Sequence, residues 1–231
     1  MTQLAEDVSI RQVANVLHYA SVFGRSAWSA ADRSTESLAM ADASSLHEQI
    51  RQLFTLLNER RVAYLLVGGV ALLRYIDGRN TEDLDLILSV ESLEQMPELV
   101  VLDQNANFAR ARFGELRVDL LFTANPLFAL VQERFATRHR FAEVDVEVAT
   151  VEGLILLKLF ALPALYRQHD GQRVAIYESD LQMLMQRHRP QMAPLLTQIR
   201  QHIDGGAYAD LCTIVSEIQQ RIARVDRPAN P

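Results

Sequence analysis

The stretch YLLVGGVALLRYIDGRNTEDLDLIL, from Tyr64 to Leu88, sets two glycines and two aspartates into an otherwise apolar run. Val62 to Val67 is short, apolar and rich in β-forming residues, and it runs directly into Gly68 and Gly69. It reads as a buried strand that turns sharply into a helix from about Val70 to Tyr75. Asp77-Gly78 ends that helix, and Asp83 to Leu88 reads as a second strand. Side chains alternate across a strand, so Asp83 and Asp85 project from one face. Alone, the Asp-Leu-Asp-Leu alternation also describes a strand with a solvated face, and a double glycine also describes a tight turn. Together they put a carboxylate pair beside a turn whose missing side chains let a phosphate approach the backbone.

A third carboxylate follows. Phe108 to Phe113 and Glu115 to Phe122, joined at Gly114, read as a hairpin whose second strand carries Asp119 between Val118 and Leu120. A charge in so apolar a segment is costly unless compensated, either by a salt bridge to Arg117 or Arg112 or by a cation. Three carboxylates on neighbouring strands, next to a glycine turn, suit two-metal phosphoryl or nucleotidyl transfer. Two magnesium ions share oxygen ligands, activate the attacking oxygen and stabilise the leaving phosphate.

The remaining chain divides around this region. Ile10, Val13, Ala14 and Leu17 give one helical face, and SAWSAADRSTESLAMADASS has loop composition, so residues 1–44 read as a helical arm and linker. Ser45 and Glu48 form a capping-box pattern ahead of a helix that presents Ile50, Leu53, Phe54 and Leu57. Ser89 to Pro97 reads as a short helix or turn, Pro126 to about Thr137 as a helix, and His139 to Phe141 with Val144 to Ala149 as a strand pair. After Thr150 only helices are predicted: Glu152 to Tyr166, Tyr177 to Arg189, Met192 to His202 and Tyr208 to Arg224, with a loop from Arg167 to Ala175. The expected organisation is an α/β core over 45–150, a helical domain over 151–225 and a tail over 226–231.

Composition limits the function classes. Of 231 residues 49% are apolar, enough for a real core. The longest apolar run, Leu154 to Leu165, is broken by Lys158 and Pro163 and falls short of the roughly 18 to 20 residues of a membrane span. MTQLAEDVSIRQ lacks the basic start and apolar centre of a secretory signal, so the cytoplasm is the expected location. One cysteine rules out an internal disulfide, and the six histidines show no HExxH spacing. The net charge of -6 argues against a broad basic surface for nucleic acid and leaves room for a local patch. Arg110, Arg112 and Arg117, like Arg134, Arg138 and Arg140, read either as a groove for a phosphate-bearing acceptor or as dispersed surface charge. Lys158 is the only lysine, set within an apolar helix.

The array Gly68-Gly69, Arg79-x-Thr81-x-Asp83-x-Asp85 and Val118-Asp119-Leu120 resembles the DNA polymerase beta-type nucleotidyltransferase superfamily over residues 62 to 122. EGLILLKLFAL with the later Tyr177-Glu-Ser-Asp180-Leu181 resembles its abortive-infection (AbiEii-like) toxins, with the minimal nucleotidyltransferases also near. The resemblance implies a mixed β-sheet flanked by helices with a C-terminal helical domain, and transfer of a nucleoside monophosphate from an NTP substrate to a hydroxyl. It implies two Mg2+ ions on Asp83, Asp85 and Asp119, and a triphosphate met by Gly68, Gly69, Arg79, Thr81, Lys158 and Asp180. For Lys158 the alternative is a side chain that snorkels to solvent; for Asp180 it is that Glu178 or Asp170 is the equivalent residue. The acceptor stays open between a transfer RNA end, a protein and a small molecule, and the toxin branch implies an antitoxin partner. A catalytically silent nucleotide-binding or partner-binding protein of the same fold is the alternative function.

Overall fold

A seven-stranded mixed sheet carries the first part of the chain. The computed structural model describes residues 35–77, 81, 83–141 and 144–226. In chain order the elements are α1 (Thr35–Glu59), β1 (Tyr64–Val67), α2 (Gly68–Leu72), β2 (Leu84–Leu88), α3 (Val90–Glu94), β3 (Val100–Gln104), β4 (Phe108–Phe113), β5 (Leu116–Phe122), α4 (Pro126–Arg134), β6 (Ala136–Phe141) and β7 (Val144–Ala149). The strand order is β3-β4-β5-β2-β1-β7-β6. β1 is antiparallel to β2 and parallel to β7, and β2 is parallel to β5, so the sheet is mixed at its centre.

All four β1 residues are buried, as expected of a central strand covered on both faces. α1 covers the face that bears Tyr64, with Phe54 and Tyr64 ring centroids 5.9 Å apart. Its Gln49 Oε1 accepts hydrogen bonds from the backbone N–H groups of Glu115 and Leu116 at the β4–β5 turn, tying helix to hairpin. On the opposite face Phe128 of α4 meets Phe108 edge-on at 5.4 Å, and Gln132 donates to the Ile87 carbonyl. Leu66, Leu86, Leu120 and Phe122 are fully buried between these layers.

From Thr150 a second compact unit consists of helices alone: α5 (Val151–Arg167), α6 (Gly171–His188), α7 (Met192–Ile199) and α8 (Gly205–Val225). Three of them begin with a side-chain cap, Thr150, Asp170 and Asp204 accepting from the N–H groups of Gly153, Arg173 and Ala207. Leu154, Ile155, Leu159, Leu162, Leu181, Leu184 and Leu211 form its buried core. Among the described residues no helix is long and apolar enough to cross a membrane.

Several boundaries differ from the sequence reading. α1 begins at Thr35 and runs through Ser45, so the expected linker is helical in its last ten residues. Glu48, read as half of a capping box, instead receives Arg51 Nε at 2.9 Å one turn on, an interaction an uninterrupted helix supports. α4 stops at Arg134 and β6 starts at Ala136, since β6 pairs along its whole length with β7. α6 starts at Gly171 because Asp170 caps it, which converts most of the expected loop from Arg167 to Ala175 into helix. β3 was not foreseen: its five residues are all exposed, so the burial alternation that marks a strand is missing. The expected helix over Ile10 to Leu17 and residues 227–231 of the tail lie outside the described residues.

Phe54, 1% exposed beneath Tyr64, tests the α1 packing. Phe54→Ala is expected to destabilise the first unit by about 3–5 kcal/mol in urea unfolding, whereas a loss under about 1 kcal/mol would show that α1 does not seal this face.

Candidate active site

The β2–β5 pair assembles the acidic side chains. Parallel pairing places Asp85 directly opposite Asp119, and antiparallel pairing places Val67 opposite Asp85 on its other side. The two aspartates therefore share one face on adjacent strands, roughly 5 Å apart at the backbone. Both are half-buried, while Leu84, Leu86, Val118 and Leu120, which alternate with them, point into the core. On the other side of Asp119, Arg110 of β4 stands directly opposite it.

β1 ends where Asp85 begins to occupy space. Gly68 has φ of +66°, in the left-handed region, and a Cβ there would lie 1.8 Å from Asp85 Oδ2. No L side chain satisfies both the backbone and the contact. At Gly69 a Cβ would come within 2.5 Å of Thr81 Oγ1. Thr81 in turn donates to the Asp83 carbonyl at 3.2 Å, holding the approach to β2. The sequence reading gave the glycine turn to an approaching phosphate; in the structure the chain's own Asp85 and Thr81 lie against it. The following helix is also shorter than expected: α2 stops at Leu72, and hydrogen-bonded turns carry the chain to Ile76.

Asp83, just ahead of β2, is engaged by Arg117 of β5, with Nε 3.2 Å from Oδ1. Arg117, considered from sequence as a partner for Asp119, forms an ion pair with Asp83. Among the described residues no three His, Cys, Asp or Glu side chains converge as a formed metal-ligand cluster. The backbone places Asp85 and Asp119 side by side, but Asp83 is turned to its arginine. The donors are all carboxylate oxygens, the ligand type magnesium takes, so the residues present fit a hard divalent cation once Asp83 is released from Arg117. Arg79 lies outside the described residues.

Lys158 and Asp180 belong to the helical unit and meet each other inside it. Lys158 Nζ lies 2.7 Å from Asp180 Oδ2, with side-chain exposures of 8% and 2%, and 4.2 Å above the Tyr177 ring centroid. The Lys158–Asp180 contact is a buried ion pair. The lysine does not run out to solvent. Asp180 is the aspartate it selects: Asp170 caps α6, and Glu178 accepts from Tyr166 and pairs with Arg221. Burial and the Glu178 hydrogen bond push the Tyr166 hydroxyl up to about 12, so it remains a donor at neutral pH.

No protein-family model matches the chain, and no curated protein does. Among solved structures it resembles an antigenic nucleotidyltransferase-like protein from Paracoccidioides brasiliensis, with a TM-score of 0.51 and 15% identity over 74% of this chain and 88% of that one. A structure of ANT(2")-Ia in complex with adenylyl-2"-tobramycin aligns at a TM-score of 0.45 and 14% identity, over 74% of this chain and 95% of that one. The first likeness establishes the fold: a mixed sheet with helices, of nucleotidyltransferase-like architecture.

Gly68→Ala is expected to destabilise the first unit by about 2 kcal/mol or more, through left-handed strain and displacement of Asp85. In a double-mutant cycle with Asp85→Ala the two effects should be non-additive by at least about 0.5 kcal/mol. Full additivity would mean the carboxylate does not rest on Gly68. In the helical unit Asp180→Ala should cost about 3–5 kcal/mol by stranding a buried ammonium, while Lys158→Met with Asp180→Leu should recover most of it; thermal unfolding of the three variants reads this directly.

Proposed function

We propose that the chain is a magnesium-dependent nucleotidyltransferase that moves a nucleoside monophosphate from a nucleoside triphosphate to an acceptor hydroxyl. The observation that carries this reading is the register of β2 on β5, which sets Asp85 against Asp119 beside the Gly68 turn. Asp83, Asp85 and Asp119 would hold the cations, which when bound supply charge neutralisation for the phosphates and acidify the attacking hydroxyl. The new bond joins the acceptor oxygen to the α-phosphorus. The bond from that phosphorus to the oxygen bridging the β-phosphate breaks, and pyrophosphate leaves with the electron pair. Asp119, on the β5 side, accepts the hydroxyl proton or relays it to solvent. Gly68, Gly69, Arg79 and Thr81 would line the triphosphate. A triphosphate role for Lys158 and Asp180, and a place in the toxin branch with an antitoxin partner, belong to the same proposal and rest on the sequence resemblance alone; the mutual pairing of Lys158 and Asp180 already accounts for their burial.

One observation favours a second reading. Arg117 neutralises Asp83, which suits a protein that keeps the fold without the metal chemistry. The two readings separate in one assay: α-labelled triphosphates, magnesium, and total RNA with cell extract as the source of acceptors. Transfer of label to RNA, a protein band or a small molecule is expected, with pyrophosphate released. Asp85→Asn and Asp119→Asn should each lower the transfer rate by about a hundredfold or more while leaving the unfolding midpoint within a few degrees. Normal rates in either variant would overturn the assignment of these aspartates. Magnesium-independent triphosphate binding without transfer would favour the silent protein.

A further inference from the structure

Two arginines stand opposite each other where a sheet ordinarily pairs unlike charges. Arg112 on β4 and Arg117 on β5 are direct cross-strand partners, on the face that bears Asp119 and Asp85. Like charges directly opposite destabilise a strand pair by a fraction of a kcal/mol, so the arrangement asks for a compensating anion. For Arg117 part of the answer is Asp83. Arg112 has no such answer: it is exposed, it is in no ion pair among the described residues, and its neighbour on the other side is Val100 of β3. Arg110, two positions away, is different, since Asp103 and Asp119 flank it in register.

Position gives the pair its meaning. Arg112, Arg117 and Asp83 form a row across adjacent strands, one register step beyond the row of Arg110, Asp119 and Asp85. The Gly68 turn borders the aspartates from β1, and the two arginines border them from the hairpin side. With strands about 4.8 Å apart, Arg112 lies roughly 10 Å at the backbone from the β2 aspartates, within reach of a group attached to a molecule reacting there.

We propose that Arg112 and Arg117 bind a phosphate group carried by the acceptor, next to the hydroxyl that receives the nucleotide. The inference rests on the nucleotidyl-transfer reading and names the acceptor class. Guanidinium groups offer paired donors that match phosphate oxygens. A phosphate monoester carries about 1.5 to 2 negative charges at neutral pH, enough to meet both arginines, whereas a single carboxylate leaves one unmet. Arg117 exchanges Asp83 for the phosphate when a cation claims Asp83, so acceptor binding is strengthened by magnesium.

The test uses the full chain and inorganic phosphate as probe, at constant ionic strength, with the arginine side-chain NMR signals as readout. A saturable shift of the Arg112 and Arg117 Nε signals is expected. Arg112→Gln should weaken phosphate binding by about tenfold, the loss of one charge-assisted interaction, and leave triphosphate affinity unchanged. Arg112→Glu, which sets an opposite charge across from Arg117, should abolish the phosphate response while raising the unfolding temperature. Ribose 5-phosphate and a 5′-phosphorylated tetranucleotide, as competitors, separate a small phosphorylated acceptor from a nucleic-acid end by which displaces phosphate better. No saturable response in the parent chain, an unchanged response in Arg112→Gln, an equal loss of triphosphate affinity, or displacement by neither competitor overturns the proposal. Failure of the parent chain to bind triphosphate with magnesium would instead overturn the nucleotidyl-transfer reading, and the phosphate titration would still report on the arginines.

Discussion

The contact on which the sheet's acidic end depends is that of the Asp85 carboxylate with the α-carbon of Gly68. It is short enough that even a methyl group is excluded, and it coincides with a backbone conformation that side chains disfavour. Because Val67 pairs with Asp85, the contact also fixes where β1 stops and α2 starts. β2 is then held from three directions: by the glycine turn, by Thr81 bonding at its approach, and by β5 in register. A shift of β2 by one residue would turn Asp85 to the face of Leu84 and Leu86 and turn those leucines away from it, so the apolar alternation and the glycine contact enforce the same register.

Charge on this face is arranged in rows. Asp85 and Asp119 concentrate negative charge at the centre, and the arginines of β4 and β5 lie on the hairpin side. Such an arrangement is costly for stability alone. Apolar residues at Asp85 and Asp119 would suit strands whose neighbours are buried, and a carboxylate at Arg112 would suit its partner Arg117. The departures from the stable choice fall together on one end of one face, which is where local rules are broken in proteins that bind or react.

The sequence made the centre of the site legible and its surroundings less so. Gly68, Asp83, Asp85 and Asp119 stand out because each contradicts the apolar pattern around it, and the structure gives them one end of the sheet. The strand periods of β4 and β5 were readable because one face is buried and the other is not, whereas β2 is interrupted only by Asp85 in an otherwise buried run. What could not be read depends on pairing between distant segments. Nothing local says that Arg117 turns to Asp83, since that follows from the register of β5 on β2, which a long connection separates; Arg112 facing Arg117 follows instead from the tight β4–β5 turn. β3 escaped because an edge strand with every residue exposed has no periodicity. The start of α6 escaped because its capping signal, Asp170, sits among polar residues that also suit a loop.

In the helical unit the buried charges meet each other. A lone lysine amid twenty-two arginines invites a special role. Its surroundings supply an ordinary reason for the choice: a compact ammonium fits between the Asp180 carboxylate and the Tyr177 ring in a space closed to solvent, where a planar guanidinium with five donors would leave several unmet. The pair therefore accounts for the two charges buried in α5 and α6 before any ligand is invoked. The acidic end of the sheet differs in kind, because Arg112 and Arg117 oppose one another there and Asp85 and Asp119 crowd together, so internal pairing leaves like charges adjacent in both rows. Buried charges that satisfy each other are architecture. Half-exposed charges that oppose each other beside the Gly68 turn are the better evidence for a ligand.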